Sequence, residues 1–153
     1  MNYFQARISI ETAYYFNYLK KIYQDETSDY ITQAFVIAKA IDEISGINSW
    51  EKIISDNSIK IENTNFEEKD LRLRIQITPQ LEETIKYYKS YLPQFIGTRS
   101  ITLGVTLKFI LKAVILLRKN PDFLNSTSQN IEEIFEIYEQ KILDYIAPAN
   151  HSQ

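Results

Sequence analysis

The stretch that decides the fold is Leu71 to Pro79, with the sequence LRLRIQITP. Apolar and polar side chains alternate along it in the order Leu71, Arg72, Leu73, Arg74, Ile75, Gln76 and Ile77. This period of two is typical of a strand that is buried on one face. The other face would carry two guanidiniums and an amide, which are side chains suited to base edges and phosphates. The stretch therefore predicts a strand with a face that can contact nucleic acid.

Two helices are predicted after this strand. Thr78-Pro79 is typical of a helix start, because proline is favoured at the first helical position and Glu82 and Glu83 would lie in the first turn. Leu92-Pro93 interrupts the helical pattern, and a second helical pattern begins near Ser100. The sequence thus predicts the order strand, helix, turn, helix.

A second copy of the same pattern is predicted at the N-terminus. RISI at Arg7 to Ile10 aligns with RIQI at Arg74 to Ile77. In this alignment the outward positions Gln5, Arg7 and Ser9 correspond to Arg72, Arg74 and Gln76. A first helix is predicted from about Thr12 to Gln24, and a second one, capped by Thr27 or Ser28, to about Ile44. A repeat of a whole strand–helix–helix unit arises by chance less easily than one copy.

The predicted fold class is α+β, mostly α. The first unit covers residues 1–46, a connector 47–69 and the second unit 70–120, and residues 121–153 hold a linker and a C-terminal amphipathic helix, Ile131 to Ile146. The two strands should pair antiparallel within one chain, because an unpaired strand with an apolar face promotes aggregation. Trp50, the one tryptophan, should pack the connector onto the core.

Charge is distributed unevenly along the chain, although the total is only −3. Residues 68–120 hold ten Lys or Arg and four acids, whereas residues 121–153 hold one Lys and six acids. A basic middle and an acidic end indicate that nucleic acid would contact the middle. The absence of Cys excludes disulfides and fits a reducing, intracellular location. No apolar run approaches the roughly 20 residues of a membrane span.

The duplicated unit resembles the ribbon-helix-helix fold of the Arc/MetJ superfamily of DNA-binding regulators. Two copies in one chain resemble the double ribbon-helix-helix regulators of archaeal viruses. The resemblance implies a transcriptional regulator, such as a repressor, that binds double-stranded DNA with a β-ribbon in the major groove and needs no cofactor. It implies base contacts from Gln5, Arg7, Ser9, Arg72, Arg74 and Gln76. It implies phosphate contacts at the starts of the second helices, from Thr27, Ser28, Thr98, Arg99 and Ser100.

Other functions fit the sequence less well. His151 has no evident partner, and the acidic pairs lie at helical spacings typical of solvated faces, so no enzyme and no metal site is predicted. The 11 Tyr and 8 Phe fall mostly at core-packing spacings. Two alternatives stay open. One is an antitoxin-like protein with a C-terminal partner-binding helix, and the other is a helical protein-interaction module without DNA binding. In either case the helix Ile131 to Ile146 is the expected surface for self-association or for a protein partner. The expected location is the cytoplasm, at the nucleoid.

Overall fold

The structure, a computed structural model, describes residues 3–62 and 65–124. It is mostly helical and has one small antiparallel sheet of two strands, which confirms the predicted class of α+β, mostly α. The predicted helix Ile131 to Ile146 lies outside the described residues. Within the described residues, no helix is long and apolar enough to cross a membrane.

Ten elements follow one another along the described chain. In order they are β1 (Tyr3–Arg7), α1 (Ile10–Thr27), α2 (Gln33–Glu43), α3 (Trp50–Ser55), a short 3₁₀ helix (Glu68–Leu71), β2 (Arg72–Gln76), α4 (Pro79–Tyr91), α5 (Pro93–Ile96), α6 (Leu103–Lys119) and α7 (Pro121–Leu124). A strand followed by two longer helices therefore occurs twice, as β1–α1–α2 and as β2–α4–α6.

The two strands form an antiparallel ribbon inside one chain, as predicted. Phe4 lies opposite Ile75 and Ala6 opposite Leu73, and all four side chains are buried. The Ile8 N–H extends the pairing by donating to the Leu71 carbonyl at 2.9 Å. The apolar face of the ribbon therefore closes one side of the core, and the polar face is left to solvent.

The four longest helices begin in the same way. Each is preceded by a Ser or Thr in extended conformation whose hydroxyl accepts a backbone N–H from the first turn, and these caps are Ser9, Thr32, Thr78 and Thr102. Such caps satisfy backbone donors that have no partner within the helix. The predicted helix start at Thr78-Pro79 is confirmed.

Helix α6 is the centre of the core. Its residues from Thr106 to Leu116 are nearly all buried, and it packs against α1, α2, α3, α4 and β1. Trp50 of α3 is only 1% exposed, and its ring centroid lies 5.7 Å from that of Tyr88 in α4. The prediction that Trp50 packs the connector onto the core is confirmed.

Arg118 joins three helices near the C-terminal end of α6. Its Nε lies 2.8 Å from Glu43 Oε1 of α2, and its Nη2 lies 3.0 Å from Glu26 Oε1 of α1. The hydroxyl of Tyr23, a core residue, donates to the Glu43 carboxylate. Burial, together with this carboxylate, raises the pKa of Tyr23. The network stabilises the end of the helix bundle.

Candidate nucleic-acid interface

Six side chains point away from the core along the two strands and form the outer face of the ribbon. They are Tyr3, Gln5, Arg7, Arg72, Arg74 and Gln76, and all are exposed. The strand register arranges them in three cross-strand pairs: Tyr3 with Gln76, Gln5 with Arg74, and Arg7 with Arg72. Five of the six residues predicted to contact bases therefore share one surface, which presents three guanidiniums and two amides.

Arg74 lies in the central pair of this face. Its guanidinium carbon lies 4.5 Å from the centroid of the Tyr3 ring, an outward side chain on the neighbouring strand. A cation–π contact at an exposed site stabilises by roughly 0.5–1 kcal/mol. The ring therefore orients Arg74, while the guanidinium stays on the solvent side of the ribbon.

Arg7 and Arg72 form a pair of like charges at one end of the ribbon. The Glu68 carboxylate, from the 3₁₀ helix before β2, lies 3.7 Å from Arg7 Nη2 and 3.4 Å from Arg72 Nη2. Like charges directly opposite each other on a sheet destabilise the pairing, so a shared carboxylate offsets their repulsion. Ion pairs this exposed contribute only about 0–1 kcal/mol, so they hold the Glu68 carboxylate weakly.

The N-terminus of α6 lies beside this end of the ribbon. Gly104 is buried, and a Cβ added to it would lie 2.3 Å from the Arg7 carbonyl oxygen, so α6 begins almost in contact with the last residue of β1. Arg7, Ser9, Thr102 and Gly104 line the open groove between the two elements, and Lys108 lines its continuation. Since a helix N-terminus attracts anions, a guanidinium and an amine beside it make a groove suited to a phosphate.

Ser9 does not lie on the strand, so its predicted position is wrong. β1 ends at Arg7, and the Ser9 hydroxyl accepts the Thr12 N–H at 3.1 Å as the cap of α1. Ser9 is thus the counterpart of Thr78, the cap of α4, and not of Gln76. In the structure the second copy follows the first by 69 residues, from Ser9 to Thr78. In the predicted alignment, which pairs Arg7 with Arg74, it follows by 67 residues.

The predicted start of the second helix in the first copy is also wrong. Thr27 is the last residue of α1, and its hydroxyl donates to the Tyr23 carbonyl at 2.9 Å. Ser28 ends that helix in the left-handed conformation, with φ 56°. The cap of α2 is Thr32.

The second copy shows the same displacement. Thr98 and Ser100 lie in the turn after α5, where the Thr98 hydroxyl contacts the Ser100 carbonyl at 3.3 Å. Helix α6 begins later, after its cap Thr102. Arg99 is exposed in this turn, three residues before the cap, so it stays a candidate for a phosphate contact without being part of the helix.

Four side chains of the interface were not predicted from the sequence, those of Tyr3, Glu68, Thr102 and Lys108, and neither was the glycine of the groove, Gly104. The signal for Thr102 is present, because an Ile-Thr or Ile-Ser pair precedes each of the four longest helices. The alternation of β1 also places Tyr3 on the outward face. Nothing in the sequence marks Glu68 or Lys108, since their positions depend on how the two copies pack together.

Comparisons with known proteins give no relative. No protein-family model matches the chain, and neither the curated proteins nor the solved structures contain a match. In the part of the chain that the structure describes, no group of three or more His, Asp or Glu side chains is placed to hold a metal ion.

Proposed function

We propose that this protein binds double-stranded DNA in a sequence-specific way and acts as a transcriptional regulator of the ribbon-helix-helix type. The observation that carries the proposal is the outer face of the ribbon. Three arginines and two glutamines are collected there, although the opposite face of the same strands is buried.

The shape and chemistry of the ribbon suit the major groove. That groove admits a two-stranded β-ribbon and displays a distinct pattern of donors and acceptors for each base pair. Arginine bonds to guanine O6 and N7 together, and glutamine bonds to adenine N6 and N7. Arg74, central and oriented by Tyr3, is the residue to which we assign the largest share of sequence choice.

The groove beside the start of α6 supports a second, sequence-independent contact. A phosphate there would face the N-terminus of a 17-residue helix and the Lys108 side chain. Contacts of this kind fix the protein on the duplex and make its affinity depend on salt.

The order of elements supports the type of regulator. In ribbon-helix-helix proteins two chains each contribute one strand, and here one chain contributes both strands and the two helices that follow each. Regulation would be steric, because a protein that occupies an operator blocks or redirects the polymerase.

Two single-site variants test this proposal. A preferred duplex is first selected from a random pool, and each variant is then titrated against it and against a scrambled duplex at two salt concentrations. Arg74→Ala should reduce binding to the selected duplex by roughly 1–3 kcal/mol and change binding to the scrambled one little. Lys108→Ala should weaken binding to both duplexes and reduce the salt slope by about 0.9.

Lys119→Ala is the matched control for Lys108→Ala. It removes the same charge from the same helix, but sixteen residues after Leu103, roughly 24 Å from the helix start at 1.5 Å per residue. Its binding should equal that of the parent. If Arg74→Ala binds the selected duplex as tightly as the parent, the ribbon does not contact the bases and the proposed function is wrong.

A further inference from the structure

The ribbon has an approximate two-fold relation between its two strands. The caps Ser9 and Thr78 are 69 residues apart, and so are Gln5 and Arg74. Gln5 and Arg74 also lie directly opposite each other in the ribbon. The two-fold axis therefore passes through this central pair. This axis exchanges the two ends of the ribbon. A ribbon with exact two-fold symmetry would therefore carry the same side chains at both ends.

The two ends of the ribbon carry different chemistry. One end presents two guanidiniums, Arg7 and Arg72, with the Glu68 carboxylate between them. The other end presents a phenol and an amide, Tyr3 and Gln76, and one guanidinium reaches it, because Arg74 of the central pair lies over the Tyr3 ring. Guanidiniums favour guanine, whereas an amide favours adenine.

The starts of the two helices beside the strands also differ in charge, and the more basic one is the start of α6. Thr102 and Thr32 cap α6 and α2, which pack against β1 and β2 respectively. Three residues before these caps, Arg99 in the second copy corresponds to Asp29 in the first. Six residues after them, Lys108 corresponds to Ala38. In the sequence the start of α6 is therefore flanked by two cations. The start of α2 is preceded by an acid, and its first cation is Lys39, whose amine lies over the Tyr23 and Phe35 rings.

The additional cations of the ribbon and of the helix start lie in the same half of the molecule. The start of α6 runs beside β1 and comes nearest to it at the arginine end, because a Cβ added to Gly104 would lie 2.3 Å from the Arg7 carbonyl oxygen, while Leu103 lines a pocket with Tyr3. Base-contacting cations and phosphate-contacting cations are thus combined at one end. The start of α2, which packs against β2, follows Asp29 in the sequence instead of an arginine, and like charges oppose the binding of phosphate near this residue.

We infer that the DNA site of this protein is not palindromic and that the chain binds it in one orientation. The half contacted by Arg7 and Arg72 is rich in G·C pairs and includes the stronger phosphate contact. The half contacted by Tyr3 and Gln76 has one guanidinium, that of Arg74, instead of two, so it contains fewer guanines and contributes less affinity. The inference rests on the proposed function and specifies the class of operator that the interface fits.

Selection of the full chain against a random duplex pool, followed by sequencing, tests the inference. The selected motif should have guanines concentrated in one half and no internal symmetry. Replacing any one guanine that an arginine bonds through both O6 and N7 should weaken binding roughly 5- to 150-fold. Mapping of essential phosphates by ethylation interference should show stronger interference on the guanine-rich half.

Two double variants test the two ends of the ribbon separately: one removes the arginine pair from its end, and the other adds an arginine pair to the opposite end. Arg7→Ala with Arg72→Ala should remove the preference for guanine in one half and leave the other half of the motif unchanged. Tyr3→Arg with Gln76→Arg gives both ends of the ribbon an arginine pair, and guanines should then appear in both halves of its selected motif. All four side chains are exposed, so both proteins should fold, and a circular dichroism spectrum and melting curve check this.

The outcomes separate the two proposals. A palindromic motif for the parent chain overturns the inference and leaves the proposed function standing. So does an asymmetric motif that the Arg7→Ala, Arg72→Ala protein still selects. If no sequence is enriched from the pool at all, the proposed function is overturned and the inference with it.

Discussion

Replacing Gly104 by alanine tests the contact that joins the two copies. Gly104 is the second residue of α6, and its added Cβ would lie 2.3 Å from the Arg7 oxygen and 3.8 Å from the Ile8 Cα. Even a weak C–H···O contact places the carbon about 3.3–3.6 Å from the oxygen. The helix and the strand must therefore separate by about 1 Å, because the obstacle is backbone and cannot rotate away.

Two opposing effects decide the magnitude. Gly→Ala within a helix ordinarily stabilises by about 1 kcal/mol, because alanine has the higher helix propensity. Inserting a methyl group into a filled site typically costs about 1–3 kcal/mol. We expect a cost in the upper part of this range, about 2–3 kcal/mol, since separating α6 from β1 also disturbs the core that α6 fills. The net decrease in the free energy of unfolding should then be about 1–2 kcal/mol.

Gly46→Ala is the matched control. A Cβ at Gly46 has no atom within 4 Å, and the residue does not have a positive φ. Its free energy of unfolding should change by no more than about 0.5 kcal/mol, as for other surface substitutions. The comparison isolates the clash from the general effect of removing a glycine.

Urea and thermal unfolding, followed by far-ultraviolet circular dichroism, measure the difference. For a chain of this size 1 kcal/mol corresponds to about 2–4 °C in Tm, so Gly104→Ala should melt roughly 2–8 °C below the parent. DNA affinity should fall too, because the groove between α6 and β1 widens. A Gly104→Ala protein as stable as the parent would show that α6 does not approach the strand as described.

Three further substitutions are predicted to have distinct effects. Arg118→Met should destabilise the protein by about 1–2 kcal/mol, because Glu43 and Glu26 lose their shared partner, and 1 M salt should reduce the difference in urea unfolding. Lys112→Met should raise the Tm at pH 7, because burial lowers the pKa of the Lys112 amine and the folded state therefore disfavours its charge. The difference should shrink as the pH rises through that lowered pKa, where the parent loses the buried charge; an unchanged difference would contradict this. Glu68→Gln should raise the affinity for all duplexes and steepen the salt dependence, and unaltered titration curves would show that Glu68 does not compete with phosphate.

The sequence predicted the faces of the strands but not their exact alignment, for a physical reason. In a strand, a shift of two residues returns every side chain to the same face. The alignment of RISI with RIQI and the observed alignment of Ser9 with Thr78 therefore preserve the same alternation. Only the caps distinguish them, because the hydroxyl of Ser9 serves the helix start and is not free to contact a base from the strand.

The starts of the second helices were predicted too early because a hydroxyl can serve a helix at either end. Thr27 precedes a polar turn and has the residue type of a cap, yet its hydroxyl donates back to Tyr23 within α1. Side-chain bonds to the carbonyl four residues earlier are a known alternative for threonine. The Ile-Thr pairs at Thr32 and Thr102 were the better signal, since an apolar residue before the cap can pack onto the first turn.

The asymmetry of the outer face extends to the inner face of the ribbon. The two-fold relation makes Phe4 the counterpart of Leu73 and Ala6 the counterpart of Ile75, so the large and small side chains of β1 have no matching arrangement in β2. The small residue Ala6 lies next to Arg7, at the end where α6 comes within contact of the strand. A homodimer brings two copies of one strand together and must give both ends of its ribbon the same residues. A chain that supplies both strands is free of that constraint. Here the small core residue Ala6 and the exposed pair Arg7 and Arg72 both lie at the end of the ribbon that α6 approaches.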